Sequence, residues 1–290
     1  MGAFKEFLKK TPAYSQMFWL FYVAEKLSRP FRQKGFAEFR EDFQVQELLG
    51  GVKTFVDIGA NDGYHSSNSF YWALRGARGA CFEPVAATFL RLKRLYLFNS
   101  RVACRNVGIS DRTGESVMVS LRDQSYIPET QDPNHREMHK AIHSQAKDTC
   151  RVELQRFEDA VQGIALPHEI DLLTIDVEGH ELSVLRSIPF DTYSFRAIIV
   201  ETHAHNLDGG CVWTHRDLQA IYDLLSAQNY SPVRTTRGNT IFLGAGVSRS
   251  SMSAGAALDS VRADARDYSE PLVPQGAGLA SRDLPRGERP

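Results

Sequence analysis

A chain of 290 residues is long enough for one or two domains with a sizeable core, and 42% hydrophobic against 24% charged residues excludes a disordered protein. With 34 basic and 35 acidic side chains there is no overall pull toward nucleic acid or anionic lipid, so no nucleic-acid partner is expected and charge recognition has to be local. The four cysteines, Cys81, Cys104, Cys150 and Cys211, show neither metal-ligand spacing nor a pairing pattern, which fits a reducing, cytoplasmic setting.

Residues 1–45 read as an aromatic-rich helical cap. The stretch AYSQMFWLFYVA is interrupted by polar residues and lacks a small-residue cleavage site, so it is no signal peptide. It is also shorter than the ~20 apolar residues that span a bilayer. Met1-Gly2 has Glu6 where a myristoylation signal wants Ser or Thr. Packing on the core is the expectation for this cap, with weak docking to a membrane surface or a partner as the alternative. Residues 46–246 then alternate short apolar runs with helical patterns. TFVDIG, ARGACFEP, RVACRNVGIS, DLLTIDVE, RAIIVET, SPVRTTR and NTIFLGA read as strands; 65–74, 85–98, 180–187 and 215–228 read as helices. That alternation builds a parallel sheet with helices on both faces and a ligand cleft at the carboxyl ends of its strands. An insertion near 115–161, containing the turn-prone YIPETQDPNHREMHK, breaks the rhythm over the expected site. Residues 247–290, rich in Ser, Ala, Gly, Pro and Arg, cannot bury enough apolar surface to offset their ordering entropy and read as a disordered tail.

The first strand ends in an acid and runs into a loop with a second one: TFVDIGANDGYHSS. A dinucleotide pyrophosphate wants three glycines spaced G-x-G-x-x-G. Here only Gly59 and Gly63 stand in the turn, with Asp57 beneath and Asp62 within. Such a loop suits a cationic ligand. S-adenosylmethionine fits: its ammonium and sulfonium are positive, and Gly59 lets the backbone approach closely. In ARGACFEP a further acid, Glu83, ends the next strand, where a carboxylate can accept both hydroxyls of a ribose.

IDLLTIDVEGHEL delivers Asp176 and Glu178 to the sheet edge and opens a helix with His180 and Glu181. Acids in a first helical turn suit the helix dipole, which accounts for Glu181. Asp176, ending a buried strand, needs a partner or a ligand. IIVETHAHN brings Glu201, His203 and His205 toward the same edge. For proton removal from an alcohol, His203 has the better-matched unperturbed pKa, ~6.5, with Asp176 orienting it or taking its place. A divalent metal on Asp176, Glu178, Glu201 and His203 competes with that scheme. Alternating residues on a strand point to opposite faces, so Asp176 and Glu178 converge only if the strand continues regularly, and no metal is expected.

With VDIGANDGYHS, the CFEP strand, NVGISDRTG, IDLLTIDVEGHELSVL and IIVETH in this order, the chain over about 50–245 resembles the FkbM family of S-adenosylmethionine-dependent methyltransferases. The resemblance implies a class I, Rossmann-like α/β fold with a mostly parallel seven-stranded sheet. It further implies that Asp57, Gly59 and Asn61 line the methionine pocket, Glu83 holds the ribose, and Asn106 and Val107 lie beside the adenine, with Asp176 and Glu178 bordering the reacting methyl; Gly63 joins the cofactor site by its place in the turn. Thr174 stands where that family often has Lys, and 126–150 has no alignable family pattern. The activity implied is O-methylation of a hydroxyl on a sugar, glycan or related secondary metabolite. The alternatives are a nucleotide-dependent oxidoreductase, disfavoured by the missing glycine, and an inactive cofactor- or glycan-binding protein of the same fold.

Overall fold

In the computed structural model, which describes residues 35–121, 124–128, 148–205 and 211–247, six helices and thirteen strands follow one another among the described residues. They are α1 (Glu41–Leu49), β1 (Thr54–Ile58), α2 (Phe70–Leu74), β2 (Arg78–Phe82), α3 (Ala86–Leu95), β3 (Val102–Arg105), β4 (Gly108–Ile109), β5 (Gly114–Leu121), β6 (Gln124–Tyr126), β7 (Asp148–Gln155), α4 (Phe157–Val161), β8 (Glu169–Ile175), α5 (Glu181–Ser187), β9 (Ser194–Glu201), β10 (His203–His205), β11 (Cys211–Thr214), α6 (Leu218–Ala227), β12 (Tyr230–Thr235) and β13 (Asn239–Gly244). All belong to the unit Met1–Ser253; the unit Ala254–Pro290 lies outside the described residues. So do most of the expected cap, the middle of the expected insertion and nearly all of the expected tail. No helix among the described residues is long and apolar enough to cross a membrane.

Seven strands form one sheet in the order β12, β13, β9, β8, β1, β2, β3. The pairs β1–β2, β1–β8, β2–β3 and β8–β9 are parallel, and β13 alone runs against its neighbours. This is the mostly parallel seven-stranded sheet that the resemblance implies, covered on both faces as the strand–helix alternation predicts. Both faces are covered, which is why β1, β8 and β9 read as nearly continuous apolar runs. Side chains alternate between the two faces. Val56, Ile58, Phe82, Leu173, Ile175 and Ile198 meet α5 and α6 through Leu185, Ile221 and Leu225. Phe55, Leu172, Ile199 and Ile241 meet the other layer through Val45, Trp72, Leu92 and Leu95. Each large apolar side chain so buried contributes ~1.5–3 kcal/mol.

The chain begins the sheet at its centre with β1, moves outward through β2 and β3, then returns to the other side of β1 with β8. Connections leave β1 and β8 in opposite directions, and a cleft opens at their carboxyl ends.

Two local readings differ from the structure. The helix predicted over 65–74 starts only at Phe70, because side chains gather the preceding amides: Asp62 takes those of Tyr64 and His65, and Ser67 those of Ser69 and Phe70. Asn61 and Ser66, both at φ 50, break any helical path there. The single strand predicted for RVACRNVGIS divides at Asn106 into β3, in the main sheet, and β4, in a second sheet ordered β4, β7, β5, β6. Thus much of 115–161 is strand, with Met118, Val152 and Leu154 buried beside Val85 and Ile127.

Candidate active site

At the carboxyl ends of β1, β2 and β8 lies a cavity of about 390 Å³, a volume in the range of small-molecule sites. Of the residues singled out from the sequence, the structure brings Asp57, Gly59, Asn61, Glu83, Val107, Asp176 and Glu178 to its wall. Gly63, Asn106 and His203 are not among its described lining residues.

Gly59 and Ala60 both donate their amides to the Phe82 carbonyl at 3.0 Å, which folds the loop over the end of β2. Gly59 sits at φ 85, and a Cβ there would overlap the Asp176 carbonyl oxygen. The two strand-end loops therefore touch at this glycine. Gly63, at φ 79, serves packing instead, since a Cβ there would press on Leu92 and Leu95; its absence lets α3 lie close beneath the loop. Asp62 belongs to its own turn. Its Oδ1 accepts the Tyr64 and His65 amides and its Oδ2 lies 2.6 Å from His65 Nδ1.

Asp57 is 5% exposed and takes a hydrogen bond from the Ser69 hydroxyl. Burial pushes its carboxyl up to about 6, against the lowering by Ser69. The Glu83 carboxylate accepts the amides of Val85 at 2.8 Å and Asn61 at 3.2 Å, one on each oxygen. Each oxygen keeps a second lone pair for a ligand hydroxyl. Burial again raises this group, to about 7. Asn106 secures the same corner from outside the cavity, its amide donating to the Glu83 and Pro84 carbonyls at 2.8 Å each.

β8 stops at Ile175, so strand alternation does not govern Asp176 and Glu178. The Asp176 amide continues the ladder to the Ile58 carbonyl at 3.0 Å, and Glu178 and Gly179 then turn through φ 56 and φ 99. That left-handed turn brings both carboxyls to the cavity. Burial, then the neighbouring Glu181, Glu38, Asp57 and Glu41, push Asp176 up to about 7. Burial and the charge of Asp176 hold Glu178 well above the carboxylate range, and the same causes act on Glu201 at the end of β9. His203 stands on β10, its Nδ1 2.7 Å from the Thr202 hydroxyl. No group of three or more His, Cys, Asp or Glu among the described residues is placed to hold a metal.

Other residues on the wall were not singled out for the site. Glu38, ahead of α1, carries no signal at its position in the sequence. Asn68 and His180 are each 6% exposed, and Asn68 Oδ1 and His180 Nδ1 have no hydrogen-bond partner among the described residues. Asn68 donates instead to the Thr174 hydroxyl at 3.3 Å, and His180 Nε2 lies 3.0 Å from the Ser110 hydroxyl. Their signal was available as polar side chains inside the two motif loops.

Phe82, Val107, Ile109, Met118, Ile127 and Leu154 make one end of the cavity apolar, fit for a flat ring. Glu83 stands between that end and the acids Asp57 and Asp176. An apolar slot, a diol acceptor and an anionic end, in that order, fit S-adenosylmethionine.

A methyltransferase FkbM domain matches residues 57–232, well over half of the chain, and the protein belongs to that family. The fold is that of a class I, Rossmann-like methyltransferase, and the family and fold together imply an S-adenosylmethionine-type cofactor. The oxidoreductase alternative falls with this assignment. Similar solved structures include a putative rRNA-methylase from Clostridium thermocellum, at 11% identity over 73% of this chain and 97% of the other with a TM-score of 0.39. The METTL16 MTase domain has 11% identity over 81% of each chain and a TM-score of 0.43. A TehB-like SAM-dependent methyltransferase from Corynebacterium glutamicum has 8% identity over 81% of this chain and 100% of the other, TM-score 0.35. At these values the likeness carries no weight for substrate or mechanism. No curated protein matches the chain.

Proposed function

We propose that the protein methylates a hydroxyl oxygen of a sugar, glycan or related small secondary metabolite. The observation that carries this reading is the hydrogen-bonding character of the wall around Asp176. Glu38, Asp176 and Glu178 line it, Asn68 Oδ1 adds an acceptor, and neither that oxygen nor His180 Nδ1 has a partner among the described residues. A wall of carboxyl groups and an unpartnered amide oxygen calls for a polar ligand, and the hydroxyls of a polyol can donate to its acceptors and accept from protonated Glu178.

Bound S-adenosylmethionine supplies an electrophilic methyl on a positively charged sulfur. The residues act on the nucleophile. An acid pressed against the sulfonium would favour the ground state at least as much as the transition state, in which the charge disperses, so Asp176 gains rate only by handling the hydroxyl. As the O–C bond forms and the C–S bond breaks, a carboxylate oxygen of Asp176 accepts the hydroxyl proton and later passes it to water. A carboxyl near pH 7 is well matched to that role. Glu178, held protonated, donates to an acceptor oxygen and orients it. His203 stands apart from the described lining, so the proton goes to Asp176.

Transfer of labelled methyl from S-adenosylmethionine to a panel of neutral glycans and polyols tests the substrate class; label found on amines and on no hydroxyl would refute it. Asp176→Asn should lower turnover by ~10²–10⁴, the range for a general base, while His203→Ala stays near the parent and EDTA changes nothing. Only ionised Asp176 can take the proton, so turnover should rise as pH climbs through about 7 and level off above it. A rate that is flat across that range, or that falls, removes Asp176 from the role.

A further inference from the structure

Glu181 and His215 are not among the described lining residues of the cavity, yet theirs is the most deeply buried carboxylate–histidine contact among the described residues, with side chains 0% and 1% exposed. Glu181 Oε1 accepts the amides of Val177 at 3.0 Å and Gly179 at 3.2 Å. These amides flank Glu178, the residue held in the left-handed conformation. Oε2 lies 2.7 Å from His215 Nε2. On its other side His215 Nδ1 accepts the Asp217 amide at 3.0 Å, and the His215 amide itself donates to the Thr202 carbonyl at 2.9 Å.

The Asp217 N–H can only donate, so Nδ1 must be the bare nitrogen and Nε2 must carry the hydrogen. The imidazole is therefore neutral and points its one N–H at Glu181. Glu181 keeps the negative charge: burial alone would raise its carboxyl, and the hydrogen bond from His215 with the backbone amides outweighs it and holds the group low. A strut thus runs from the start of α6, through imidazole and carboxylate, to the two peptide units that carry Glu178.

We infer that Glu181 and His215 are positioning residues, a carboxylate–imidazole strut that fixes the Asp176–Gly179 turn and so sets the Asp176 and Glu178 carboxyls against the bound cofactor and acceptor. A backbone held at φ 56 in a non-glycine residue persists only where its surroundings over-determine it, and here the two Glu181 hydrogen bonds do so. The strut joins the turn to α6, so the geometry of the catalytic carboxyls depends on an element 34 residues further along the chain.

The inference rests on the proposed role of Asp176 as the base beside the reacting methyl, where its charge also lies within reach of the cationic sulfur, and its test separates the two. Affinities for S-adenosylmethionine, with a cationic sulfur, and S-adenosylhomocysteine, with a neutral one, are measured by calorimetry on the full chain. Their ratio reports the carboxylate's placement. Asp176→Asn should reduce the ratio about tenfold or more; an unchanged ratio overturns the reading and the strut with it. His215→Gln places an amide N–H where Nε2–H stood and keeps the contact to Glu181. His215→Asn keeps the acceptor for Asp217 and loses Glu181. The strut requires the ratio to hold within about twofold in the glutamine variant and to fall about fivefold in the asparagine variant. Equal behaviour of the two, whether both unchanged or both reduced, makes His215 a packing residue only and overturns the strut. Hydrogen exchange on the same proteins gives a reading that needs no ligand: the Val177 and Gly179 amides should be protected in the parent and the glutamine variant and exposed in the asparagine variant, with β8 protected in all three. Loss of protection throughout β8 in the asparagine variant would mean a global effect, and would count against the strut.

Discussion

The loops after β1 and after β8 sit side by side and solve one problem twice. Each follows a buried parallel strand, each has an aspartate at that strand's end on the cavity wall, and at each a further carboxylate gathers backbone amides. In the first, Asp62 takes the amides two and three residues on and pairs with His65, all within one turn. In the second, Glu181 takes the amides of Val177 and Gly179 but is completed by His215, 34 residues away. The difference lies in exposure. His65 is 61% exposed, so its pair with Asp62 opens to water on one side, whereas Glu181 and His215 are closed off from it. A local turn can be held by local polar groups; a buried charge needs a partner brought by the fold.

The loops meet at Gly59, and the largest effect is expected there. Gly59→Ala forces a side chain into the left-handed region, at ~1–2 kcal/mol, and drives its Cβ into the Asp176 backbone, which cannot give way as a flexible side chain would. A total loss of ~4 kcal/mol or more is expected, with cofactor binding abolished. A thermal unfolding midpoint within a few degrees of the parent would mean that the loops do not make this contact.

Glu83→Ala is the next largest. It removes the ribose acceptor together with the partner of the Asn61 and Val85 amides, and should weaken S-adenosylmethionine by ~2 kcal/mol, roughly thirtyfold in Kd. If calorimetry shows parental affinity, the diol sits elsewhere.

What was legible in the sequence follows the same division between local and distant. Asp57, Glu83 and Asp176 were readable because each ends an apolar run that the double-faced sheet requires, and a carboxylate at the end of such a run stands out. The parallel sheet was readable because its strands alternate with helices, whereas the strand order was not. The choice among His203, His205 and His215 was not. All three follow β9 closely, and only the fold decides that His215, at the mouth of α6, donates its amide to the Thr202 carbonyl and is buried against Glu181, while His203 turns onto β10. Glu38 was invisible for a similar reason: it reaches the cavity from ahead of α1, across the first layer, and no spacing links it to β8. The split of RVACRNVGIS was hidden by its unbroken β propensity. Only the pairing of β4 with β7, some 45 residues on, reveals that the segment serves two sheets.

The smallest effect should come at Asp62. Asp62→Asn keeps an Oδ1 to accept the Tyr64 and His65 amides and removes only the charge that faces His65. The His65 side of that pair is 61% exposed although Asp62 is only 15% exposed, and pairs open to water on one side are worth about 0–1 kcal/mol. The expected cost is ~0.5 kcal/mol, a fall of about 1–2 °C in Tm for a domain of this size, and still less in high salt. The sign with pH follows from the direction of the Asp62 shift: burial alone would raise the carboxyl, but His65 and the two amides hold it below its ordinary value. The contribution is therefore present above the unfolded pKa and lost as pH falls through the folded one, so parent and variant should converge in acid. Asp62→Ala, which also strips both amides of their acceptor, should cost ~1–2 kcal/mol. If Asp62→Asn proves as costly as the alanine variant, charge rather than amide capture holds the first loop, and the contrast with Glu181 fails.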